Sequence, residues 1–167
     1  MLFVGICSAL ISMSSLTVEP VAFTYHGMAS KEDLKNIRKR GTTLDGEGRA
    51  TFHKGIGLTY RSQYFQLTGI YFKNSVNQNS GGLMFGPKMD FWKRHFTLGL
   101  VGGAYMRESM AEMRFPLSYK NQTFEVAPML MATGSASVRI YRSLWLEVIA
   151  GSNYVLNFFT PGIRVDI

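Results

Sequence analysis

From residue 95 to residue 107 the side chains alternate without a break. Phe96, Leu98, Leu100, Gly102, Ala104 and Met106 fall on one face, and His95, Thr97, Gly99, Val101, Gly103 and Tyr105 fall on the other. Successive side chains of a strand point to opposite sides of a sheet, so this segment predicts a strand with one apolar face and one small, mixed face. The pattern recurs near the C-terminus. Ile163, Val165 and Ile167 oppose Arg164 and Asp166, and Leu144, Leu146, Val148 and Ala150 oppose Trp145, Glu147 and Ile149. Charges at alternate positions of an otherwise apolar strand require that one of its faces be polar.

Similar segments, punctuated by glycine and short polar turns, are predicted as strands over residues 18–27, 53–61, 64–73, 82–91, 95–107, 123–142, 144–150 and 158–167. The sixth has an expected break before Gly134, and Pro128 marks a break or an edge in it. Between the first two, Ser30-Lys31-Glu32-Asp33 reads as a helix N-cap followed by acids and predicts a short helix to Arg40. Eight strands with alternately shorter and longer connections suit an up-and-down barrel.

The solvent of that barrel follows from composition. Only 17% of residues are charged, against about 25% in an average soluble domain. Beyond the N-terminus no run approaches the ~20 apolar residues of a spanning helix. A lipid-facing chain without such helices must close its backbone hydrogen bonds in a barrel. Aromatic residues near strand ends, among them Tyr60, Tyr64, Tyr71, Phe72, Phe91, Trp92, Tyr105, Tyr141, Trp145, Phe158 and Phe159, are expected as interfacial girdles. The fold expected is therefore all-β: an eight-stranded antiparallel transmembrane β-barrel with a short helix or loop after the first strand. A soluble lipocalin-like carrier is the competing architecture.

Residues 1–16 read as a signal-peptide core, with 17–167 the single barrel domain, which predicts export to the outer membrane of a cell. Cys7 is the single cysteine and lies in that leader, so the mature chain is expected to hold no disulfide. Net charge is +7, and residues 31–40 contribute five basic side chains. These suit a solvated loop or contact with anionic lipid head groups. Nucleic acid is not expected, because the basic residues do not alternate with aromatics on any element. His26, His53 and His95 have no zinc-type spacing, and neither metal nor cofactor is expected.

One polar group is placed for chemistry. His26 ends the first predicted strand and Asn74-Ser75 ends the third, so in an up-and-down barrel both lie on the same rim, where a histidine and a serine can serve as base and nucleophile. The runs Gly55-Ile56-Gly57-Leu58, Leu67-Thr68-Gly69-Ile70-Tyr71-Phe72-Lys73-Asn74-Ser75 and Phe96-Thr97-Leu98-Gly99-Leu100, with Arg61 and Tyr25-His26, resemble the lipid A palmitoyltransferase family of outer-membrane enzymes. That family carries Phe-Lys-Asp-Ser where this chain has Phe72-Lys73-Asn74-Ser75, and Phe-His-Leu-Gly-Leu where it has residues 96–100. A wider set of small barrels, some phage-encoded, carries Tyr-x-Asn-Ser at the same corner.

The resemblance implies a lumen that accepts one acyl chain and a monomer whose partners are phospholipid and lipopolysaccharide. It implies an acyltransferase with His26 as base, Ser75 as nucleophile and Asn74 as orienter, and with Arg61 and Lys73 holding lipid phosphates. Asn74 stands where the family has an acid, and loss of the acid from a serine triad can cost about 10⁴ in rate. A non-catalytic barrel that modifies or guards the cell surface, or binds lipid, is the alternative. Asn74 and Ser75 would then be turn formers.

Overall fold

A computed structural model describes residues 14–27, 29–109, 117–121, 123–153 and 157–167. The leader expected over residues 1–16 lies outside them except for Ser14, Ser15 and Leu16. Ser15 and Leu16 belong to the barrel, because strand β1 (Ser15–Tyr25) starts three residues before the expected position.

Helix α1 (Lys31–Arg40) follows β1. The strands after it are β2 (Ala50–Arg61), β3 (Phe65–Lys73), β4 (Asn79–Phe91) and β5 (Phe96–Glu108). A two-residue strand β6 (Tyr119–Lys120) precedes β7 (Phe124–Tyr141), β8 (Leu144–Ser152) and β9 (Asn157–Asp166). Every pairing is antiparallel, consecutive long strands pair, β5 with β7 among them, and β1 pairs with β9. The eight long strands thus close on themselves, which leaves no open sheet edge. β6 adds only the pairs Tyr119↔Val126 and Lys120↔Glu125.

β7 runs unbroken through Gly134, contrary to the expected interruption. Pro128 sits opposite Ala104 of β5, and the β7–β8 ladder begins only at Ala132↔Ser152. Pro128 therefore lies where β7 overhangs β8, so its missing N–H interrupts no bond to that strand.

Residues 62–64, 92–95 and 142–143 make tight turns at the end of the barrel that also holds Ser14 and Ile167. The strand ends that flank the connections 26–49, 74–78, 109–123 and 153–156, the first three of them longer than any of the tight turns, lie at the other end, called the mouth below.

The distribution of side chains is the reverse of a soluble globule. Leu58, Leu83, Phe85, Met89, Leu98, Leu100, Leu130, Leu146 and Ile163 face outward and are exposed, whereas Thr17, His53, Arg61, Glu125, Glu147 and Arg164 are buried inside. An outer wall of this kind requires an apolar solvent, so the barrel is membrane-embedded. The alternation read from residues 95–107 holds: Thr97, Val101 and Tyr105 point in, and Phe96, Leu98, Leu100 and Met106 point out. The same parity corrects the girdle. Tyr64, Tyr71, Phe91, Trp92, Tyr141 and Phe159 are exposed, but Trp145 and Tyr105 are buried, and Phe72 and Phe158 line the lumen.

The lumen has two halves. Toward the tight turns it is filled by an ionic plug. Arg61 Nη1 lies 2.7 Å from Glu147 Oε2 and Arg164 Nη1 lies 3.6 Å from Glu147 Oε1. Thr17 and Ser135 donate hydroxyl hydrogens to the same carboxylate at 2.7 and 2.8 Å. The Arg164 guanidinium stacks 4.2 Å above the Trp145 ring, whose Nε1 donates to Asp166. Glu147 thus pairs with Arg164 and more closely with Arg61, while the Arg139 guanidinium lies over the Trp145 ring, 4.6 Å from its centre. Buried charges need such partners because each costs several kcal/mol to desolvate. Between the plug and the mouth the lumen has an apolar belt, with Met84, Val101 and Met131 packed together and Ile70, Met129 and Phe158 around them, and nearer the mouth Arg107 is buried in an ion pair with Glu125.

Candidate functional site

A cavity of about 250 Å³ runs through the apolar belt from the plug to the mouth. Its wall is the methionine, isoleucine and phenylalanine belt just described, and its upper end is the mouth, where His26, Asn74 and Ser75 line it together with Asp33 and Ile37 of α1.

Local sequence builds this mouth. Ser30 caps α1 by accepting from the Asp33 amide, and the Asp33 carboxylate accepts from the Ser30 amide in return, a capping box. The apolar stripe Leu34 and Ile37 is buried, with Ile37 against Val76. The helix ends at Gly41, where any side chain would collide with the Ser75 carbonyl oxygen. Glycine at this position therefore lets the helix end press on the turn that carries Ser75.

That turn is made by Asn74. Its Oδ1 accepts from the amides of Val76 (3.1 Å) and Gln78 (3.0 Å), the way asparagine mimics a backbone turn. The side chain expected to orient His26 is thus occupied in shaping the loop, and no hydrogen bond joins it to His26.

His26 and Ser75 are brought together across 49 residues of chain, with Ser75 Oγ 2.7 Å from His26 Nε2. That is hydrogen-bond reach for a base and a nucleophile. The Nε2 atom also lies 3.2 Å from Thr24 Oγ1 and 3.4 Å from Thr51 Oγ1. A second histidine, His53, completes the cluster and was not foreseen. Its Nδ1 donates to the Lys73 carbonyl at 2.8 Å, which makes Nε2 the acceptor for the hydroxyls of Thr24 at 2.7 Å and Thr51 at 3.0 Å. The signal for it was present: Thr51, His53, Gly57, Thr59 and Arg61 share one face of β2, and a strand face carrying those side chains in a lipid-facing barrel must be the inner one.

His26 stands just beyond the end of β1. Burial holds its imidazole well below the ordinary range, at about 4, and the neighbouring His53 pushes the same way, against the opposite pull of Asp33 and Asp45. The ring is neutral at pH 7, and in its Nδ1–H tautomer Nε2 accepts from the Ser75 hydroxyl. Once protonated, the same nitrogen would find the Thr24 and Thr51 oxygens as additional acceptors.

The two cationic residues expected to hold lipid phosphates separate. Lys73 is exposed on the mouth rim beside the site. Arg61 is 2% exposed and belongs to the plug at the other end of β2, bonded to Thr17 and Glu147. Strand parity turns it inward, so it cannot meet a head group beside Ser75.

No protein-family model matches the chain, and no curated protein matches it. Among solved structures, a de novo designed transmembrane β-barrel superposes with a TM-score of 0.52 at 17% identity, covering 93% of this chain and 96% of that one. A second designed barrel, solved by solution NMR, covers 93% of this chain and 94% of its own at 15% identity and a TM-score of 0.47. At this identity the first match speaks to fold alone, and the fold it shares with this chain is the closed antiparallel barrel of a membrane-embedded protein.

Proposed function

We propose that the chain is an outer-membrane enzyme that moves an acyl chain from a phospholipid to lipid A, or releases it to water. The observation that carries the reading is the 2.7 Å contact between Ser75 Oγ and His26 Nε2 at the mouth of an apolar cavity. In the proposed reaction the ester carbonyl stands at the mouth with its chain in the lumen. Ser75 Oγ attacks the carbonyl carbon and His26 Nε2 takes the hydroxyl proton. The lysophospholipid oxygen leaves with that proton, and an acceptor hydroxyl reverses the sequence. Lys73 on the rim would hold a lipid phosphate. Segregation of the tight turns with Ser14 and Ile167 at one end, and of the strand ends that lead into the longer connections at the other, supports an outer-membrane setting. The short motifs shared with the lipid A palmitoyltransferases support the substrate class.

A second reading, a non-catalytic lipid-binding or surface-modifying barrel, is favoured by a specific observation. Asn74 spends its carbonyl on the loop, and among the described residues no carboxylate bonds to the His26 ring. The deciding experiment is lipid mass spectrometry on a Gram-negative strain that lacks its own palmitoyltransferase and expresses this chain. A mass increment of one acyl chain on lipid A that disappears in Ser75→Ala is the expected result. A folded barrel with no increment would select the second reading.

A further inference from the structure

The inner end of the lumen cavity is polar, and the chemistry at the mouth does not use it. The cavity floor is formed by Glu19, Thr59, Thr68, Arg61 and Gln66. Glu19 is 6% exposed and faces inward from β1. Its Oε1 accepts the Thr59 hydroxyl at 2.6 Å. Thr59 having spent its only hydrogen there, the 3.0 Å contact between Thr59 and Thr68 must be donated by Thr68. This short chain of hydroxyls therefore runs toward Glu19 and ends with acceptors unspent: Glu19 Oε2 has no hydrogen-bond partner among the described residues. The neighbouring donors are turned elsewhere, Arg61 Nη1 to Thr17 and Glu147, and Gln66 Nε2 to Thr133. The pocket is built around the carboxyl group as well. A β-carbon at Gly57 would lie 2.7 Å from Oε2, so glycine is what leaves this oxygen room.

Charge decides what kind of donor fits. Around the floor and plug, Glu19, Asp90, Glu147 and Asp166 face Arg61, Lys88, Arg94 and Arg164, four of each sign. A cationic ligand would upset this balance and an anionic one would be repelled by Glu19, whereas a neutral hydroxyl can donate to Oε2 and leave the balance intact. We infer that the cavity floor is a recognition subsite for the hydroxyl end of an aliphatic chain that enters from the mouth, with Glu19 Oε2 as the acceptor. The inference concerns binding at the floor and holds whether or not Ser75 is a nucleophile.

The test uses the full barrel in phospholipid nanodiscs with ¹³C-labelled methionine methyls. Met84 and Met131 line the cavity and report its occupation. Decan-1-ol and decyl methyl ether share a chain and an oxygen acceptor, but only the alcohol donates. The alcohol is expected to bind about tenfold more tightly, as for a hydrogen bond to a charged group. That ratio should fall to near one in Glu19→Leu and shrink in the more conservative Glu19→Gln. Comparing ratios between variants cancels partition into lipid. Equal affinities in the wild type, a preference that survives Glu19→Leu, or lumen methionines that move with neither ligand would each overturn the assignment. Tighter binding of decylamine than of the alcohol would overturn the choice of a neutral donor.

Discussion

Glu147 is the anion on which Arg61 and Arg164 converge in the lumen plug, and its replacement by glutamine tests the account of what holds the barrel closed. Its two oxygens receive Arg61, Thr17 and Ser135 within 2.8 Å, with Arg164 at 3.6 Å. The amide keeps the shape of the carboxylate, but its NH₂ must face one of these donors, and both guanidinium groups lose their shared counter-charge. Arg61 is 2% exposed and Arg164 1% exposed, so neither can recover water. Breaking a buried pair from one side costs about 3–5 kcal/mol. With a urea slope of roughly 2 kcal/mol/M, the unfolding midpoint should fall by about 2 M. The assay is urea unfolding in phospholipid vesicles followed by Trp145 emission, in a Trp92→Phe background so that the plug alone reports. Removing Arg61 with it, as in Glu147→Leu with Arg61→Met, should recover part of the lost midpoint, because the guanidinium closest to Glu147 is no longer left without its counter-charge, while Arg164 keeps only Asp166, at 3.5 Å. A Glu147→Gln midpoint within about 0.5 M of the parent would sink the argument. A double variant no better than the single would place the loss in packing instead.

Other expectations follow from the mouth and the turns. The depressed His26 value means that the folded protein binds fewer protons than the unfolded chain between about pH 4 and the ordinary histidine range near 6.5. Stability should therefore decline as pH falls through that window and His26→Gln should flatten the decline, whereas any Ser75-dependent activity should persist until the ring protonates near pH 4. Asn74→Asp retains an acceptor for the Val76 and Gln78 amides and adds a charge beside the site, so the barrel should fold normally and Ser75-dependent acyl transfer should rise severalfold. An unchanged rate in the lipid assay would show that this position acts only on the loop. Trp92, Lys93 and Arg94 all have positive φ, at 51°, 53° and 68°. Lys93→Gly removes the side-chain penalty of that conformation and should stabilise the barrel by about 1 kcal/mol, read as a higher urea midpoint.

Much of the fold was legible because the period of two is a local property. Residues 95–107 and 144–150 disclose both faces of their strands, and strand parity alone would have moved Arg61 and Trp145 indoors had it been applied to every strand with equal rigour. The pairing of His26 with Ser75 was legible from topology, since the ends of the first and third strands of an up-and-down barrel share a rim. What stayed hidden depends on closure. The partnership of Arg61 with Glu147 spans 86 residues, with β1 and β9 standing between the two strands that carry it, and no local pattern encodes it. The occupation of Asn74 by its own loop was equally obscure, because an Asn-Ser corner reads the same whether the amide faces a histidine or two backbone amides. The added wall that α1 gives the mouth rests on Ile37 meeting Val76, which only the folded chain brings together.

The two-part lumen also fixes how the molecule exchanges its contents. A tube plugged by interlocked charges at one end is blind. Anything that enters must leave by the same opening, so loading and unloading cannot overlap in time, and each occupant has to depart before the next arrives. The same stopper denies ions a path from one face of the membrane to the other. The guest proposed above for the cavity would therefore sit inside a bilayer without making that bilayer electrically leaky.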